Sequence, residues 1–392
     1  MKYTADAVIV GAGITGASIA FHLARSGLKV ICVEKTFLAA GATGKSSALI
    51  RMHYDNEPEI LLAHKSLPYF QNWKDMVGEG DCGFVKSGYI RLVNKEDEEK
   101  LKNNVQLMQQ NGVNTSLISG DEVKEIAPTF CTDDIDIAAW EPDSGYADPS
   151  GTTYGFIKAA QNLGAEILFP EEVRSIDVNS GRIKSVKTRN HKISTAIVVN
   201  AAGAFASAIG NMVGIDIPVE PIRYQAGIFR RPLEIQKYHP IVMDRLAGEF
   251  YFRPEGHYRT LVGGIGAKKG IDPDNYNETT DEGYSTKVLN ILSKRIPGMV
   301  NAVFLGGRAG CDGISSDEYA ILDKFDEVDG FYTAVGHSGH GFKIAPAVGI
   351  AISELVTRGQ SESIDISAFS YSRFINNINP FNNANTYSDR GQ

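Results

Sequence analysis

The sequence predicts an α/β fold in which a layered domain with a parallel sheet is joined to a second, mostly antiparallel sheet domain. A strand, a glycine-rich turn, a helix and a second strand follow one another within residues 7–33. Apolar runs typical of strands buried on both faces recur at 196–199 and Phe331–Val335, and each leads into a helical pattern. Between residues 219 and 263, alternating segments are typical of antiparallel strands.

The N-terminal elements form a β-α-β unit. Ala7–Val10 is an apolar run long enough for one buried strand, and the sequence GAGITG follows it. An apolar-periodic stretch continues to Ala24, and Gly27 is placed to end that helix in the left-handed conformation. Residues 29–33 form the second strand, which ends at Glu34.

The later elements alternate between helical and strand patterns. Residues 57–77 have helical periodicity, in which Pro68 is expected to kink or split the helix. Residues 139–151 are rich in Pro, Asp and Gly, which predicts a loop. Further helices are predicted at 96–110, 154–163, 284–295 and 350–357, and further strands at 84–93, 166–169, 173–178, 182–189, 219–230, 250–253 and 259–263.

The order of these elements predicts a discontinuous architecture, in which each domain is assembled from separate stretches of the chain. A ligand is expected between the two domains, because pockets concentrate at domain interfaces. The predicted ranges are 1–80, 150–215 and 306–375 for the α/β domain, 81–149 and 216–305 for the second domain, and 376–392 for a loosely ordered tail.

Composition places the chain among globular proteins and excludes several other classes. At roughly 150 residues per domain, 392 residues indicate two or three domains. The hydrophobic fraction of 43% and the charged fraction of 22% exclude a disordered chain and a fibrous repeat. The net charge of −8 argues against a protein that coats nucleic acid or an anionic membrane surface.

Cysteine usage and the N-terminus bear on the cellular compartment. The four cysteines include no CxxC pair, which argues against a disulfide framework or a zinc site and predicts a reducing, cytoplasmic compartment. The N-terminus lacks the apolar stretch of a signal peptide. The only long uncharged stretch, 193–215, is interrupted by Asn and Gly, so no transmembrane segment is expected. The cysteines are Cys32, Cys82, Cys131 and Cys311.

The glycine-rich turn has the pattern of a dinucleotide-binding motif. Gly11 permits the tight turn, Gly13 lets the backbone approach a pyrophosphate, and Gly16 lets helix and strand pack closely. Glu34 ends the second strand 18 residues after Gly16, where an acidic residue is expected to hold the ribose hydroxyls. A carboxylate there disfavours the 2′-phosphate of NADP but leaves NAD and FAD as alternatives.

Four further segments decide between these alternatives by resemblance. They are AGATGKSSALIRMHY at 40–54, EPDSGYADPSG at 141–151, NAAGAFA at 200–206 and GHSGHGFKIAPAVG at 336–349. In sequence and in order along the chain they resemble the D-amino-acid oxidase-like superfamily of FAD-dependent oxidoreductases. The resemblance is strongest to sarcosine oxidase, to the β subunits of sarcosine oxidase and proline dehydrogenase, and to glycine oxidase.

This resemblance implies a Rossmann-like, glutathione-reductase-like FAD-binding domain and a mostly antiparallel sheet domain (α+β) for the substrate. FAD must be held at both ends, and the glycines and hydroxyls of these segments suit its pyrophosphate, ribityl chain and flat ring. The residues it implies for FAD are Gly11, Gly13, Ile14, Thr15, Gly16, Glu34, Lys35, Thr43, Gly44, Ser46, Ser47, Val173, Ala201, Gly203, Gly339, His340, Gly341, Phe342 and Lys343.

The resemblance also implies a cationic clamp for a substrate carboxylate. Arg51, in ALIRMHY, matches the arginine that pairs with the carboxylate in sarcosine oxidases, and Lys343, in SGHGFK, matches the lysine that pairs with it from the other side. A bidentate guanidinium and an ammonium suit this task. Tyr251 lies in a strand that lines the substrate pocket in relatives, with Phe250 as the alternative if the register slips by one.

Four weaker candidates accompany this clamp. A structural role is expected for His340 at the edge of the flavin, and a surface or supporting role for His53. Arg223 and Gln225, in IRYQAG, are placed to reach the pocket if their strand faces it.

The sequence departs from monomeric sarcosine oxidases at two points. Those enzymes link the flavin through a cysteine, and counting back from Ser316-Asp317 places Cys311 one residue out of register, so non-covalent FAD is expected. They also hold a lysine over the flavin for oxygen reactivity, whereas the matching position here is apolar, near Val262, and Lys268 comes too late. Either oxygen or a partner protein or quinone is therefore open as the electron acceptor.

Taken together, the residues and the resemblance predict FAD-dependent oxidation of a small carboxylate-bearing amine of the sarcosine, proline or glycine class. Hydride transfer from the substrate C–H to flavin N5 gives an imine that water hydrolyses. The alternatives are a 2-hydroxy-acid or glycerol-phosphate-type dehydrogenase on the same fold, or a flavin subunit of a larger complex. Neither a metal nor a nucleic-acid partner is expected, and homo- and hetero-oligomers are both open.

Overall fold

The fold was analysed in a computed structural model that describes residues 2–235, 238–382, 384, 386 and 387. In this part of the chain the strands are β1 Lys2–Thr4, β2 Ala7–Val10, β3 Val30–Val33, β4 Leu49–Ile50, β5 Val85–Lys86, β6 Tyr89–Leu92, β7 Ser116–Ile118, β8 Ala138–Glu141, β9 Gly145–Tyr146, β10 Glu166–Leu168, β11 Val173–Asn179, β12 Arg182–Thr188, β13 Lys192–Ser194, β14 Ile197–Asn200, β15 Val219–Arg230, β16 Ile241–Asp244, β17 Phe250–Glu255, β18 Arg259–Gly263, β19 Val303–Ser315, β20 Ile321–Lys324 and β21 Phe331–Val335.

The helices connect these strands or cover the sheets. In the same residues they are α1 Ile14–Arg25, α2 Ala42–Lys45, α3 Glu57–Gln71, α4 Trp73–Met76, α5 Glu98–Gln110, α6 Gly120–Ile126, α7 Pro149–Asn162, α8 Ala206–Asn211, α9 Tyr284–Arg295, α10 Gly341–Arg358 and α11 Ser372–Ile375, with short 3-10 turns at Lys95–Asp97, Gly203–Phe205, Leu233–Ile235, Pro297–Asn301 and Ser367–Phe369.

A six-stranded sheet forms the centre of the first domain, in the order β10-β3-β2-β14-β21-β20. Its strands are parallel except β20, which pairs antiparallel with β21. Side chains alternate between the two faces of β2. Ile9 joins the core formed with helices α1, α3, α7 and α10, while Val8 joins the core beneath the four-stranded sheet β1-β13-β12-β11. The domain therefore has three layers, as the apolar β2 and β3 predict.

An eight-stranded sheet forms the second domain, in the order β19-β15-β18-β17-β16-β6-β8-β7. Its pairs are antiparallel except β16 with β6. Helix α9 packs on it through Val288 and Leu292, which share a core with Phe229 and Phe252. The α/β class and the mostly antiparallel second sheet are confirmed.

Several predicted boundaries differ from the structure. Strand β19 pairs with β15 through Ser315, so the return to the first domain comes after Ser315 and not at 306. Residues 139–151 are not only loop, since β8 and β9 lie in this region. Pro68 is accommodated inside α3, and the break falls at Asn72, whose N–H donates to the Pro68 carbonyl. The last long helix begins at Gly341 instead of 350.

Part of the C-terminal segment is packed against the body of the protein, contrary to the prediction of a loose tail at 376–392. Phe381 is buried and stacks on Tyr319, with ring centroids 3.5 Å apart. Tyr387 is also buried. Their aromatic side chains provide the contacts that a polar composition of Asn, Ser and Asp does not predict. Residues 388–392 lie outside the described residues.

Candidate functional site

A cavity of about 790 Å³ lies where the two domains meet. Its wall includes the glycine-rich turn after β2, the loop around α2 and the turn between β21 and α10. Strands β15 and β17 of the eight-stranded sheet contribute Gln225 and Tyr251. Segments far apart in sequence thus meet at the carboxyl ends of the parallel strands, which is where open α/β sheets bind ligands.

The glycine-rich turn depends on close backbone packing. Gly11 has a φ of +104°, and a Cβ there would lie 2.6 Å from the carbonyl oxygen of Ala201. A Cβ on Gly16 would lie 1.9 Å from the Gly11 carbonyl oxygen. The Ala201 N–H in turn donates to Val10 O at 2.9 Å. The NAAG segment therefore supports the turn from behind, and side chains are excluded at both glycines.

Glu34 connects this turn to the end of β3. One carboxylate oxygen accepts a hydrogen bond from Ala12 N at 2.9 Å, and the other accepts from Thr36 N at 2.9 Å. Val173 lies in the same part of the cavity wall. Lys35 also lines it, but its ammonium is paired with Asp274 and lies over the ring of Phe205. Lys35 is therefore oriented by protein groups that the sequence did not indicate.

The α2 loop presents hydroxyl groups to the cavity. Thr43 Oγ1 accepts a hydrogen bond from Ile14 N at 3.1 Å, which ties the loop to the start of α1. Ser46 Oγ accepts from Ala48 N at 2.9 Å, and Ser47 Oγ lies 2.8 Å from Tyr251 Oη. A Cβ on Gly44 would lie 2.5 Å from the Ala39 carbonyl oxygen, so this tight loop requires glycine.

The turn between β21 and α10 brings a second helix N-terminus to the cavity. Gly339 has a φ of +81°, and its N–H donates to Asp312 Oδ2 at 2.8 Å. Burial raises the pKa of Asp312, although hydrogen bonds from backbone N–H groups oppose this effect. A Cβ on Gly341 would lie 3.0 Å from the His337 side chain. Asp312, which no motif indicated, therefore holds the turn in place.

Arg51 and Lys343 converge on one tyrosine ring. The guanidinium carbon of Arg51 lies 4.8 Å from the centroid of Tyr54, and Lys343 Nζ lies 5.5 Å from it. Both cations are buried and line the cavity. Burial, and then the nearby charge of Arg51, lower the pKa of Lys343 well below its usual range. An anion entering here would meet the buried guanidinium of Arg51 and would favour the charged form of Lys343.

The other predicted residues fall into two groups. Tyr251 and Gln225 line the cavity, and the register of β17 directs Tyr251 towards Ser47. Phe250 also borders the cavity, while its ring belongs to the core beneath α9. Arg223 does not reach the cavity: its guanidinium donates to Asn277 O and Thr279 O. It holds the loop before α9 instead.

The two histidines near the clamp both lie in polar networks, and His53 is buried whereas His340 is partly exposed. His340 Nδ1 lies 3.3 Å from Glu59 Oε1, and its ring meets Tyr54 edge-on. Its apposition to Glu59 agrees with a structural role. His53 lies between Glu141, at 3.4 Å, and Tyr387, at 2.8 Å. Burial lowers the pKa of His53, although Glu141 opposes the shift.

Sequence reasoning did not select Tyr54, Glu141 or Tyr387. Tyr54 and Glu141 lie within segments that carry the family resemblance, so a closer look at the polar and aromatic positions of those segments could have found them. Tyr387 lies in a polar stretch with no local signal. Searching the described residues reveals no group of three or more His, Cys, Asp or Glu side chains able to hold a metal ion. Within that part of the chain, every helix is too short or too polar to cross a membrane.

Comparison with known protein families identifies this architecture. Residues 6–355 match the family model described as DAO, FAD dependent oxidoreductase. The chain belongs to this family. It is an FAD-dependent amino-acid or amine oxidoreductase, and FAD is its cofactor.

Relatives of named activity align with nearly the whole chain. The solved L-proline dehydrogenase from P. horikoshii is similar at 31% identity and a TM-score of 0.89, covering 96% of this chain and 99% of that one. Monomeric sarcosine oxidase from Bacillus sp. is 27% identical, over 94% of this chain and 96% of its own length. Human mitochondrial sarcosine dehydrogenase is 25% identical over 95% of this chain but only 41% of its own length.

The described residues fit the FAD that this family binds. Helices α1 and α10 both begin at the cavity, where their free N–H groups favour negatively charged groups. A Cβ on Gly203 or Gly339 would meet no protein atom within 4 Å, so at these cavity-lining positions the backbone has open space in front of it. Glu34 lines the cavity just after the end of β3, and its carboxylate is a suitable acceptor for ribose hydroxyls. The cavity therefore offers donors, acceptors and bare backbone along its length.

Proposed function

We propose that this protein oxidises a small amino acid or N-methyl amino acid of the sarcosine, proline or glycine class. The observation that carries the proposal is the convergence of Arg51 and Lys343 on the Tyr54 ring inside the cavity. Two buried cations at one point form a binding site for a carboxylate, since a charge-assisted hydrogen bond is strongest where water is excluded. The similarity to the L-proline dehydrogenase of P. horikoshii and the monomeric sarcosine oxidase of Bacillus supports the same class.

In this proposal the clamp both binds and orients the substrate. Arg51 offers a planar fork of N–H donors, and Lys343 offers a point charge from the first turn of α10. A carboxylate between them favours the charged form of Lys343, which burial otherwise disfavours. The same two cations lower the pKa of the substrate amine, so that it loses its proton and keeps a lone pair. FAD, when bound, accepts the hydride from the substrate C–H.

Tyr251 is proposed as a polar wall of the substrate pocket. Its hydroxyl is held by Ser47 at 2.8 Å, and burial raises its pKa, so it stays protonated at neutral pH. A neutral hydroxyl can donate or accept a hydrogen bond without adding charge beside the clamp. This leaves positioning and polarisation as the main tasks of the side chains, with no general base required.

Non-covalent FAD is also part of the proposal. A Cβ on Gly310 would lie 2.9 Å from Lys45 Cβ, so position 310 of β19 faces the α2 loop. Adjacent residues on a strand point to opposite faces, so the Cys311 side chain is turned away from that loop, although Cys311 also lines the cavity. Burial raises the pKa of the Cys311 thiol to about 12, which disfavours the reactive thiolate.

A partner protein or a quinone, rather than oxygen, is the proposed electron acceptor. Val262 lies in the core beneath α9, and Lys268 is paired with Asp281 at 2.9 Å. Neither provides the ammonium that sarcosine oxidases hold over the flavin. Without that charge, reduction of oxygen lacks its electrostatic assistance.

Anaerobic mixing tests the proposal directly. Sarcosine, L-proline, glycine, D-alanine and L-2-hydroxyglutarate are added separately to the FAD-loaded protein, and the blue absorption band of the flavin is followed. The proposal is supported if an amine substrate bleaches the flavin of the wild type and of the surface variant Lys86→Met, but not that of Lys343→Met. Bleaching by the hydroxy acid alone would replace it with the hydroxy-acid alternative. The rate of recolouring in air then measures oxygen as an acceptor, and a rapid return would contradict the acceptor assignment.

A further inference from the structure

The C-terminal segment contributes one side chain to the substrate end of the cavity. Tyr387 is 9% exposed and lines the same cavity as Arg51 and Lys343. Its hydroxyl lies 2.8 Å from His53 Nε2, although the two residues are 334 positions apart in sequence. A tyrosine from the end of the chain is therefore part of the wall beside the carboxylate clamp.

The ring of Tyr387 covers a buried arginine. The guanidinium carbon of Arg91, on β6, lies 4.4 Å from the centroid of this ring. The ring also runs nearly parallel to His53, with an interplanar angle of 22° and a centroid distance of 5.9 Å. The Arg91 guanidinium over the ring and the His53 imidazole at its hydroxyl hold the ring in one orientation, since both contacts are directional.

The hydroxyl of Tyr387 belongs to a chain of contacts that reaches Arg51. His53 lies between Tyr387 and Glu141, whose Oε1 is 3.4 Å from Nδ1. The other oxygen of Glu141 accepts from Met52 N at 2.9 Å. The carbonyl of His53 accepts a hydrogen bond from Arg51 Nη1. The backbone at 51–53 and the guanidinium beyond it are therefore held between Glu141 and Tyr387.

We infer that Tyr387 is a specificity-determining residue of this site: its ring limits the size of the substrate, and its hydroxyl positions Arg51 through His53. The inference rests on the proposed function for its substrate class, a carboxylate with a small or cyclic apolar body. A larger body attached to the same carboxylate would overlap the tyrosine ring. Removing the ring opens space next to the clamp, whereas removing only the hydroxyl loosens the clamp and leaves the size limit in place.

Equilibrium binding of carboxylates to the FAD-loaded protein separates these two effects without turnover. The probes are acetate, pyrrole-2-carboxylate and phenylacetate, and the change in the flavin spectrum reports binding. In Tyr387→Ala the ratio of phenylacetate to acetate affinity is expected to rise at least 10-fold. In Tyr387→Phe the affinity for all three is expected to fall about 5- to 10-fold with the ratio unchanged. Tyr371→Phe is the matched control, because its hydroxyl donates to Asp216 O outside the cavity.

The outcomes distinguish this inference from the proposed function. Carboxylate binding without oxidation of any amine would refute the proposed function. The ratio of phenylacetate to acetate affinity would still test the role of Tyr387. An unchanged ratio in Tyr387→Ala with wild-type FAD content overturns the inference. If Tyr387→Ala does not fold, Tyr387→Trp replaces it in the experiment. Its larger ring is expected to lower the ratio of phenylacetate to acetate affinity. If no carboxylate binds the wild-type protein, both proposals fail.

Discussion

Glu34 accepts a hydrogen bond from the backbone N–H of Ala12 at 2.9 Å, which joins the end of β3 to the glycine-rich turn after β2. The second oxygen of the carboxylate is held by Thr36 N at 2.9 Å. The two strands are neighbours in the parallel sheet, so their carboxyl ends lie side by side. The acidic residue is therefore held in place by the glycine-rich turn, which has the pattern of loops that approach a pyrophosphate.

Replacing Glu34 with Ala is expected to weaken FAD binding about 10- to 100-fold. Hydrogen bonds to a charged group are worth about 1.5–3 kcal/mol, and the variant loses those to ribose as well as the support of the turn. Titration of the apoprotein with FAD, followed by quenching of flavin fluorescence, measures the dissociation constant. Glu166→Gln, which alters only an exposed ion pair with Lys29, should bind FAD as the wild type does. Equal affinity in Glu34→Ala would remove this residue from the FAD site.

Lys343 is expected to make carboxylate binding depend on pH. Because burial and Arg51 lower its pKa well below its usual range, Lys343 loses its proton as pH rises through that lowered value. Binding of acetate should therefore weaken towards high pH, while Arg51 keeps its charge. In Arg51→Gln the neighbouring positive charge is removed, which raises the pKa of Lys343. The loss of affinity for acetate should therefore occur at higher pH than in the wild type.

Removing the lysine provides the complementary measurement. Lys343→Met should lower the affinity for acetate about 10- to 100-fold, which corresponds to about 1.5–3 kcal/mol for a charge-assisted hydrogen bond, and should abolish the dependence on pH. The exposed Lys86→Met serves as the control. A pH profile that survives in Lys343→Met would assign the titration to another group.

Denaturation is expected to release FAD from the protein as the unmodified cofactor. Cys311 lies one residue out of register for a flavin link, and burial raises the pKa of its thiol to about 12. Acid precipitation should release all yellow colour into the supernatant, from both the wild type and Cys311→Ala. Colour that stays in the pellet for the wild type but not for Cys311→Ala would show a covalent bond at this position.

His22 is expected to destabilise the protein in acid. Burial lowers its pKa from 6.5 to about 3, and its Nε2 has no hydrogen-bond partner among the described residues. Above pH 6.5 His22 is neutral in both the folded and the unfolded state and does not reduce the free energy of unfolding. As pH falls from 6.5 towards 3, the unfolded state binds a proton that the folded state does not, so the free energy of unfolding decreases. Between pH 6.5 and 5 this loss amounts to about 2 kcal/mol of unfolding free energy.

Urea unfolding at pH 7 and pH 5, with saturating FAD, measures this contribution. His22→Leu should lose about 2 kcal/mol less than the wild type between these two values. The exposed His257→Gln should behave like the wild type. Because His239 is also buried with a lowered pKa, and the pKa of the cavity-lining His337 is lowered too, some sensitivity to acid should persist in His22→Leu. An unchanged loss in His22→Leu would show that His22 is not buried in its neutral form.

Local patterns in the sequence predicted much of the central sheet. Buried strands require apolar residues, and such runs occur at β2, β3 and β21. The tight turn requires glycines at fixed spacing, so the sequence indicates its position as well. The length of α10 and the extent of β19 were not predicted correctly. Gly349 and Pro346 weaken the helical pattern of α10, while tertiary packing against α1 and α3 stabilises it.

Site residues that lie within a motif could be predicted from the sequence. Their hydrogen-bond partners in distant parts of the chain could not. Tyr251 was selected with its strand, but its hydrogen bond to Ser47 depends on how two domains meet. Arg223 was a weaker candidate, expected to reach the pocket if its strand faced it, yet its guanidinium faces the loop at 277–281. Strand alternation determines that a side chain faces one side or the other, but the choice between cavity and loop needs the tertiary structure.

The sequence by itself determined the α/β class, the glycine turn with Glu34, and the family resemblance that indicates FAD and a carboxylate clamp. These features depend on residue type and short spacing, which the chain carries locally. Only the tertiary structure decided that Arg51 and Lys343 converge on Tyr54, and that Tyr387 lines the same cavity and contacts His53. Such contacts join residues hundreds of positions apart, and their geometry depends on how sheets and helices pack around a shared core, which no local pattern records.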